Sequence, residues 1–180
     1  MLYSIFILIV DTVASVLGGI LLLRFWMQAI RVRPPSSVGQ FMFQLTDWLV
    51  KPLRRLIPGM AGYDWASLLA AFLVALLAEA VNLLIAPNFS FQALILLSLL
   101  QLFQWVLYGF MGLILIEVVF SWVNPNAPLA PLVRALTDPL MRPLRRIIPL
   151  IGNVDLSPLI AFVLLCIALH LISALLISLI

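Results

Sequence analysis

Four stretches of this chain are long and apolar enough to cross a lipid bilayer, and that property narrows its fold more than any other. They run roughly over residues 2–23, 65–86, 91–116 and 156–180, with only isolated charges in them. At about 1.5 Å of rise per residue, each spans a hydrocarbon core of about 30 Å. The runs are continuous rather than alternating, which selects helices over a barrel of strands. Charged residues make up 9% of the chain, against about 25% in a soluble domain. Too few remain to coat a water-facing surface. The expectation is an all-α membrane protein: one domain over 1–180 with four transmembrane helices. The first run reads as a retained span rather than a cleavable leader, because no basic residue precedes its apolar part and Asp11 interrupts it.

The basic residues are confined to two places. Arg24, Arg31, Arg33, Lys51, Arg54 and Arg55 surround the first connection, and Arg134, Arg142, Arg145 and Arg146 lie in the third. Short loops rich in Lys and Arg stay cytoplasmic. Both basic connections are therefore expected on the cytoplasmic side and both termini on the opposite side. The formal charge of +3 is then explained by orientation and by contact with anionic lipid, and no nucleic-acid partner is predicted. Cys166 is a lone cysteine, so no intrachain disulfide and no cysteine zinc site is expected. No metal-ligand cluster, phosphate-binding loop or nucleophile–base pair is apparent, and neither a cofactor nor an enzymatic activity is predicted.

The two basic places share a phrase. Residues 46–58 read TDWLVKPLRRLIP and residues 137–149 read TDPLMRPLRRIIP; aligned without gaps, 46–70 and 137–161 agree at twelve of 25 positions. The chain is thus read as two repeats, 1–88 and 89–180, each a helix, an amphipathic segment and a helix. Two spans separate equivalent points, so the repeats are parallel in orientation, which implies a pseudo-twofold axis along the membrane normal. Within the segments 46–58 and 137–149, Leu49, Leu53, Leu56 and Ile57 form an apolar stripe beside Lys51, Arg54 and Arg55. Leu140, Leu144, Ile147 and Ile148 repeat it beside Arg142, Arg145 and Arg146. This pattern predicts an interfacial helix whose basic face meets anionic lipid or a partner protein. Pro52 and Pro143 are expected in its first turn and Pro58 and Pro149 at its end, leaving barely two turns. Asp64 and Asp155 are expected to cap the helices that follow.

These residues resemble the YggT family of small bacterial and plastid membrane proteins. The second copy carries the pattern in full, with Asn124-Pro125, Thr137-Asp138-Pro139, the run Pro143 to Pro149, and Asp155-Leu156-Ser157-Pro158. The first departs from it at Trp48, at Ala66-Ser67 and at Arg33-Pro34-Pro35. The resemblance covers nearly the whole chain. It implies a multi-pass protein of the bacterial inner membrane and a loose association with osmotic or ion homeostasis, with division and envelope organisation, or with assembly of membrane complexes. It brings no catalytic residues.

Ionisable groups inside the spans are costly and usually face other helices or water. Glu79 and His170 stand at equivalent repeat positions, each fifteen residues after its aspartate, roughly 22 Å along the helix. Asp11, Gln101 and Gln104 fall at a similar level, and Asn82 and Ser173 lie one turn above Glu79 and His170. These seven residues are expected to form one polar layer. It serves as a hydrogen-bonding network between helices, as a proton or cation site, or as an interface with another protein. Near the basic end, with a two-residue gap, Arg24 aligns with Glu117, and either the two pair or Arg24 snorkels to lipid phosphate. Ala71, Ala75, Ala78 and Asn82 make a small-residue stripe, and Gly18, Gly19, Gly109 and Gly112 allow close approach, within the bundle or in a homo-oligomer. Two functions remain open: a contributor to osmotic and ion homeostasis, acting directly or through a partner transporter, and a scaffold or assembly factor working through its basic segments.

Overall fold

In the computed structural model, residues 2–57, 59, 62–83, 90–148 and 155–179 are described. They form six helices: α1 (Leu2–Ala29), α2 (Ser36–Leu56), α3 (Trp65–Leu83), α4 (Phe91–Val123), α5 (Ala130–Ile147) and α6 (Ser157–Ile177). Helices α1, α3, α4 and α6 are long and apolar enough to cross a membrane. Only 11 to 33% of their most apolar windows is buried inside the chain, so most of that apolar surface is left for lipid to cover. The order is helix, amphipathic helix, helix, twice over. At 33 residues, α4 is about 50 Å long and must tilt or extend beyond the hydrocarbon core.

The amphipathic helices differ from the sequence expectation. They are 21 and 18 residues long rather than two turns, with Pro52 inside α2 and Pro139 and Pro143 inside α5. All three prolines are exposed, so the carbonyls they leave without an N–H donor lie on the outer side of the helix. An interior proline costs about 3 kcal/mol, and side-chain burial on the opposite side offsets it. The buried stripe is Gly39, Met42, Thr46 and Val50 in α2, and at the same repeat positions Ala130, Val133, Thr137 and Met141 in α5. It is not the leucine stripe expected: Leu49 and Leu53 are half-buried, and Leu56 and Ile147 are exposed. The helices end at Ile57 and Ile148, both in extended conformation. Each precedes a proline in sequence, and that disfavours continued helix. Pro58, Pro149 and residues 84–89 of the second connection lie outside the described residues.

The chain divides into two compact units, residues 1–106 with 172–180, and residues 107–171. The break does not fall at the repeat boundary, because the first half of α4 belongs to the first unit. There α3 presents Ala66, Ala70, Ala71, Ala75 and Ala78, all buried, in one core with Ala14, Leu21 and Leu22 of α1 and Trp105 of α4. The stripe of small side chains lets the helices approach closely. A methyl group at Gly18 would overlap the Trp105 ring, whereas Gly19, Gly109 and Gly112 have open space beside them. Of the four glycines, Gly18 alone is held by a close contact. The second unit has its own core of Met111, Ile114, Met141, Ala161 and Leu165, with Leu140 and Leu144 against it.

Candidate functional site

Polar side chains gather in three places. Each unit has one beside its amphipathic helix, α2 in the first and α5 in the second. In the first unit, Arg24 of α1 is 5% exposed. It donates to the hydroxyl of Thr46 and to the carboxylate of Asp47, both at 2.7 Å, and lies 3.6 Å from Asp64. Thr46 is fully buried and donates in turn to the carbonyl of Met42. Phe43 lies with its ring centroid 4.8 Å from the Arg24 guanidinium carbon, a cation–π contact. Arg54 pairs with Asp64, which also accepts from the hydroxyl of Ser67 at 2.6 Å. Lys51 pairs with Asp47 at 3.0 Å.

The second unit builds the counterpart from a different charge. Glu117 of α4 is 6% exposed. It accepts from the buried Thr137 hydroxyl at 2.6 Å and from Arg145 at 2.8 Å. Arg145 also donates to Asp155 at 3.0 Å, the same arginine–aspartate pairing that joins Arg54 to Asp64. Arg142 pairs with Asp138 one turn away, at 2.5 Å. The expected pairing of Arg24 with Glu117 gives way to these local sets, in which each residue draws its partners from its own unit. Arg24 does not snorkel either, because its guanidinium is buried and coordinated.

Asp155 acts as a cap, accepting from the N–H of Ser157, the first residue of α6, at 2.9 Å. Asp64 instead spends its carboxylate on Arg54 and the Ser67 hydroxyl. Burial alone would raise both carboxyls. The hydrogen bonds from Arg54 and Ser67, with the charges of Arg54 and Arg24, outweigh it and hold Asp64 below the usual carboxylate range. Ser157 and Arg145 do the same for Asp155. At Asp47 burial is again opposed, by Arg24 and Lys51, and the carboxyl is lowered.

The third gathering lies between α1 and α3 in the first unit. Asn82 of α3 donates to the carboxylate of Asp11 on α1 at 3.2 Å. Glu79, one turn before Asn82 on α3, lies in the field of Asp11. The buried Oδ1 of Asn82 has no hydrogen-bond partner among the described residues. Of the seven residues expected in this layer, the structure thus brings together Asp11, Glu79 and Asn82. Gln101, Gln104 and Ser173 are half-buried, and His170 is exposed. The two threonines, each central to the group in its own unit, carry no charge to mark them in the sequence, but both open the repeated phrase.

The matching family model, CCB3/YggT, covers residues 3–85 and again 96–176. The chain belongs to the CCB3/YggT family. Its two matched segments are the two tandem repeats. A Vibrio alginolyticus protein is 36% identical to it, over 86% of each chain. A Pseudomonas aeruginosa protein is also 36% identical, over 87% of this chain and 82% of the other. The YggT protein of Escherichia coli K12 is 33% identical, over 87% and 83%. All three are described as uncharacterised. No solved structure matches the chain.

Proposed function

We propose that this YggT-family protein is a non-enzymatic, multi-pass component of the bacterial inner membrane that contributes to osmotic and ion homeostasis, directly or through a partner transporter. Its termini are placed on the periplasmic side and α2 and α5 on the cytoplasmic side. The observation that carries this reading is the group formed by Asp11, Asn82 and Glu79. Two carboxyls and an amide on neighbouring spanning helices are costly to keep in hydrocarbon. They offer oxygen ligands for a cation, or one shared proton with the Asn82 carbonyl as acceptor. Cation flux in vesicles and osmotic tolerance of cells carrying Glu79→Gln and Asp11→Asn test the reading. Loss of either property in both variants is expected. Normal flux and tolerance in both would remove it.

A second reading is favoured by the outer faces of α2 and α5. Lys51, Arg55, Arg142 and Arg146 are exposed beside the equally exposed Leu56 and Ile147. A basic and apolar surface of this kind suits a scaffold that holds anionic lipid, partner membrane proteins or a second copy of the chain. Replacing Arg55 and Arg146 by Ala leaves the Asp64 and Asp155 pairings intact. Loss of partner recovery with normal flux would favour this reading over the first.

A further inference from the structure

The second unit contains a cavity of about 540 Å³ where α4, α5 and the start of α6 converge. Its walls include Glu117, Ser121 and Trp122 of α4, Arg134 and Arg145 of α5, and Asp155. The two acids are already engaged. Glu117 receives Thr137 and Arg145, and Asp155 receives Arg145 and the N–H of Ser157. Arg145 spends Nε and Nη2 on them. Among the described residues, the Arg134 guanidinium has neither a hydrogen bond nor an ion pair, and the Ser121 hydroxyl has no partner. Arg134 therefore brings a wholly unengaged guanidinium to a cavity whose two carboxylates keep lone pairs free.

Repeat one solves the same place differently. The residue equivalent to Arg134 is Phe43, and with a two-residue gap the one aligned with Glu117 is Arg24. There the aromatic ring stacks on the guanidinium. Repeat two replaces that stacked pair by an arginine and a carboxylate facing a cavity.

We propose that this cavity binds the headgroup of a phospholipid, with the phosphate at Arg134 and a primary ammonium at Asp155 and Glu117. Guanidinium is matched to phosphate in shape and charge. The wall charges of Arg134, Arg145, Glu117 and Asp155 sum to zero, which suits a zwitterion better than an anion. An ammonium with three N–H donors uses the remaining lone pairs of the two carboxylates, and a trimethylated one cannot. The depth also favours lipid over free phosphate. The cavity sits at the ends of two spanning helices, beside Trp122, which is 81% exposed, the position where tryptophan marks the membrane–water boundary. The inference does not depend on Asp11 or Glu79.

The test is native mass spectrometry of the full chain released from detergent micelles. The micelles are doped with phosphatidylethanolamine, phosphatidylcholine or phosphatidylglycerol, or with inorganic phosphate. Phosphatidylethanolamine is expected to bind about tenfold more tightly than the other two lipids. Arg134→Ala is expected to weaken binding of all three lipids, which share the phosphate, and Arg134→Phe, which places in repeat two the residue used by repeat one, to do the same in a folded protein. Gly19→Ala, in the first unit with open space beside it, should leave binding unchanged. Equal binding of the three lipids, displacement by millimolar phosphate, or an Arg134→Phe protein that binds them as tightly as the parent would each overturn the proposal.

Discussion

Thr46 and Thr137 occupy the same position in the two repeats, both fully buried, and their hydroxyls face opposite charges. Thr46 accepts from Arg24 at 2.7 Å, and Thr137 donates to Glu117 at 2.6 Å. A hydroxyl serves either role. The two repeats therefore share a buried hydroxyl, while the partner beside it is a cation in one and an anion in the other.

This difference makes the two threonines unequal. With Thr137→Val, Glu117 loses one of its two hydrogen-bonding side chains while remaining buried, a cost of about 2 kcal/mol for a charged acceptor. With Thr46→Val, Arg24 keeps Asp47 on the same nitrogen, so the cost is about 1 kcal/mol. Reversible unfolding in mixed detergent micelles measures both, and Thr137→Val is expected to be the less stable variant.

Reversing Arg24 tests the local ion pairs. Arg24→Glu places a carboxylate beside Asp47 and the buried Asp64, and breaking a buried pair in this way costs roughly 3–5 kcal/mol. If the partners are those described, adding Glu117→Arg gives no recovery, because that change sets a second cation against Arg145. Recovery of stability in the double variant would restore the direct pairing of Arg24 with Glu117.

Acid should release α2 and α5. Asp47, Asp64 and Asp155 are held below the carboxylate reference of 3.8. For a lowered group, the stabilisation is complete above the unfolded value and disappears as the pH falls through the folded one. Protection of the α2 and α5 amides against hydrogen exchange is expected to stay level from about pH 7 to about pH 5 and to fall below about pH 4. In Asp64→Asn the acid step at α2 should shrink, while that at α5 persists.

Gly18 and Gly19 are adjacent but not equivalent. Gly18→Ala forces its methyl group into the Trp105 ring, and overpacking of this kind costs about 1–3 kcal/mol. Gly19→Ala meets nothing within 4 Å and gains about 0.5–1 kcal/mol of helix propensity. Detergent unfolding should rank Gly19→Ala at or above the parent and Gly18→Ala below it. Shortening Trp105 to Leu should restore the latter.

The apolar runs, the basic clusters and the repeated phrase determined by themselves that this is a helical membrane protein built from two tandem units. Bilayer thickness and the cost of unpaired backbone in hydrocarbon leave no other reading of such runs. They also placed Asp11, Glu79 and Asn82 at one depth, because rise per residue is fixed. Tertiary structure decided what local rules could not. The extent of α2 and α5 was set by burial of Met42, Thr46 and Val50 and their counterparts, which outweighs the proline penalty that sequence rules apply to an isolated helix. The partners of Arg24 and Glu117 were set by which carboxylate, hydroxyl or guanidinium lies within about 3 Å, and repeat spacing along one helix does not carry that distance. The seating of Trp105 on Gly18 and the cavity beside Arg134 likewise arise between elements distant in the chain, where side-chain volume and direction decide the contact.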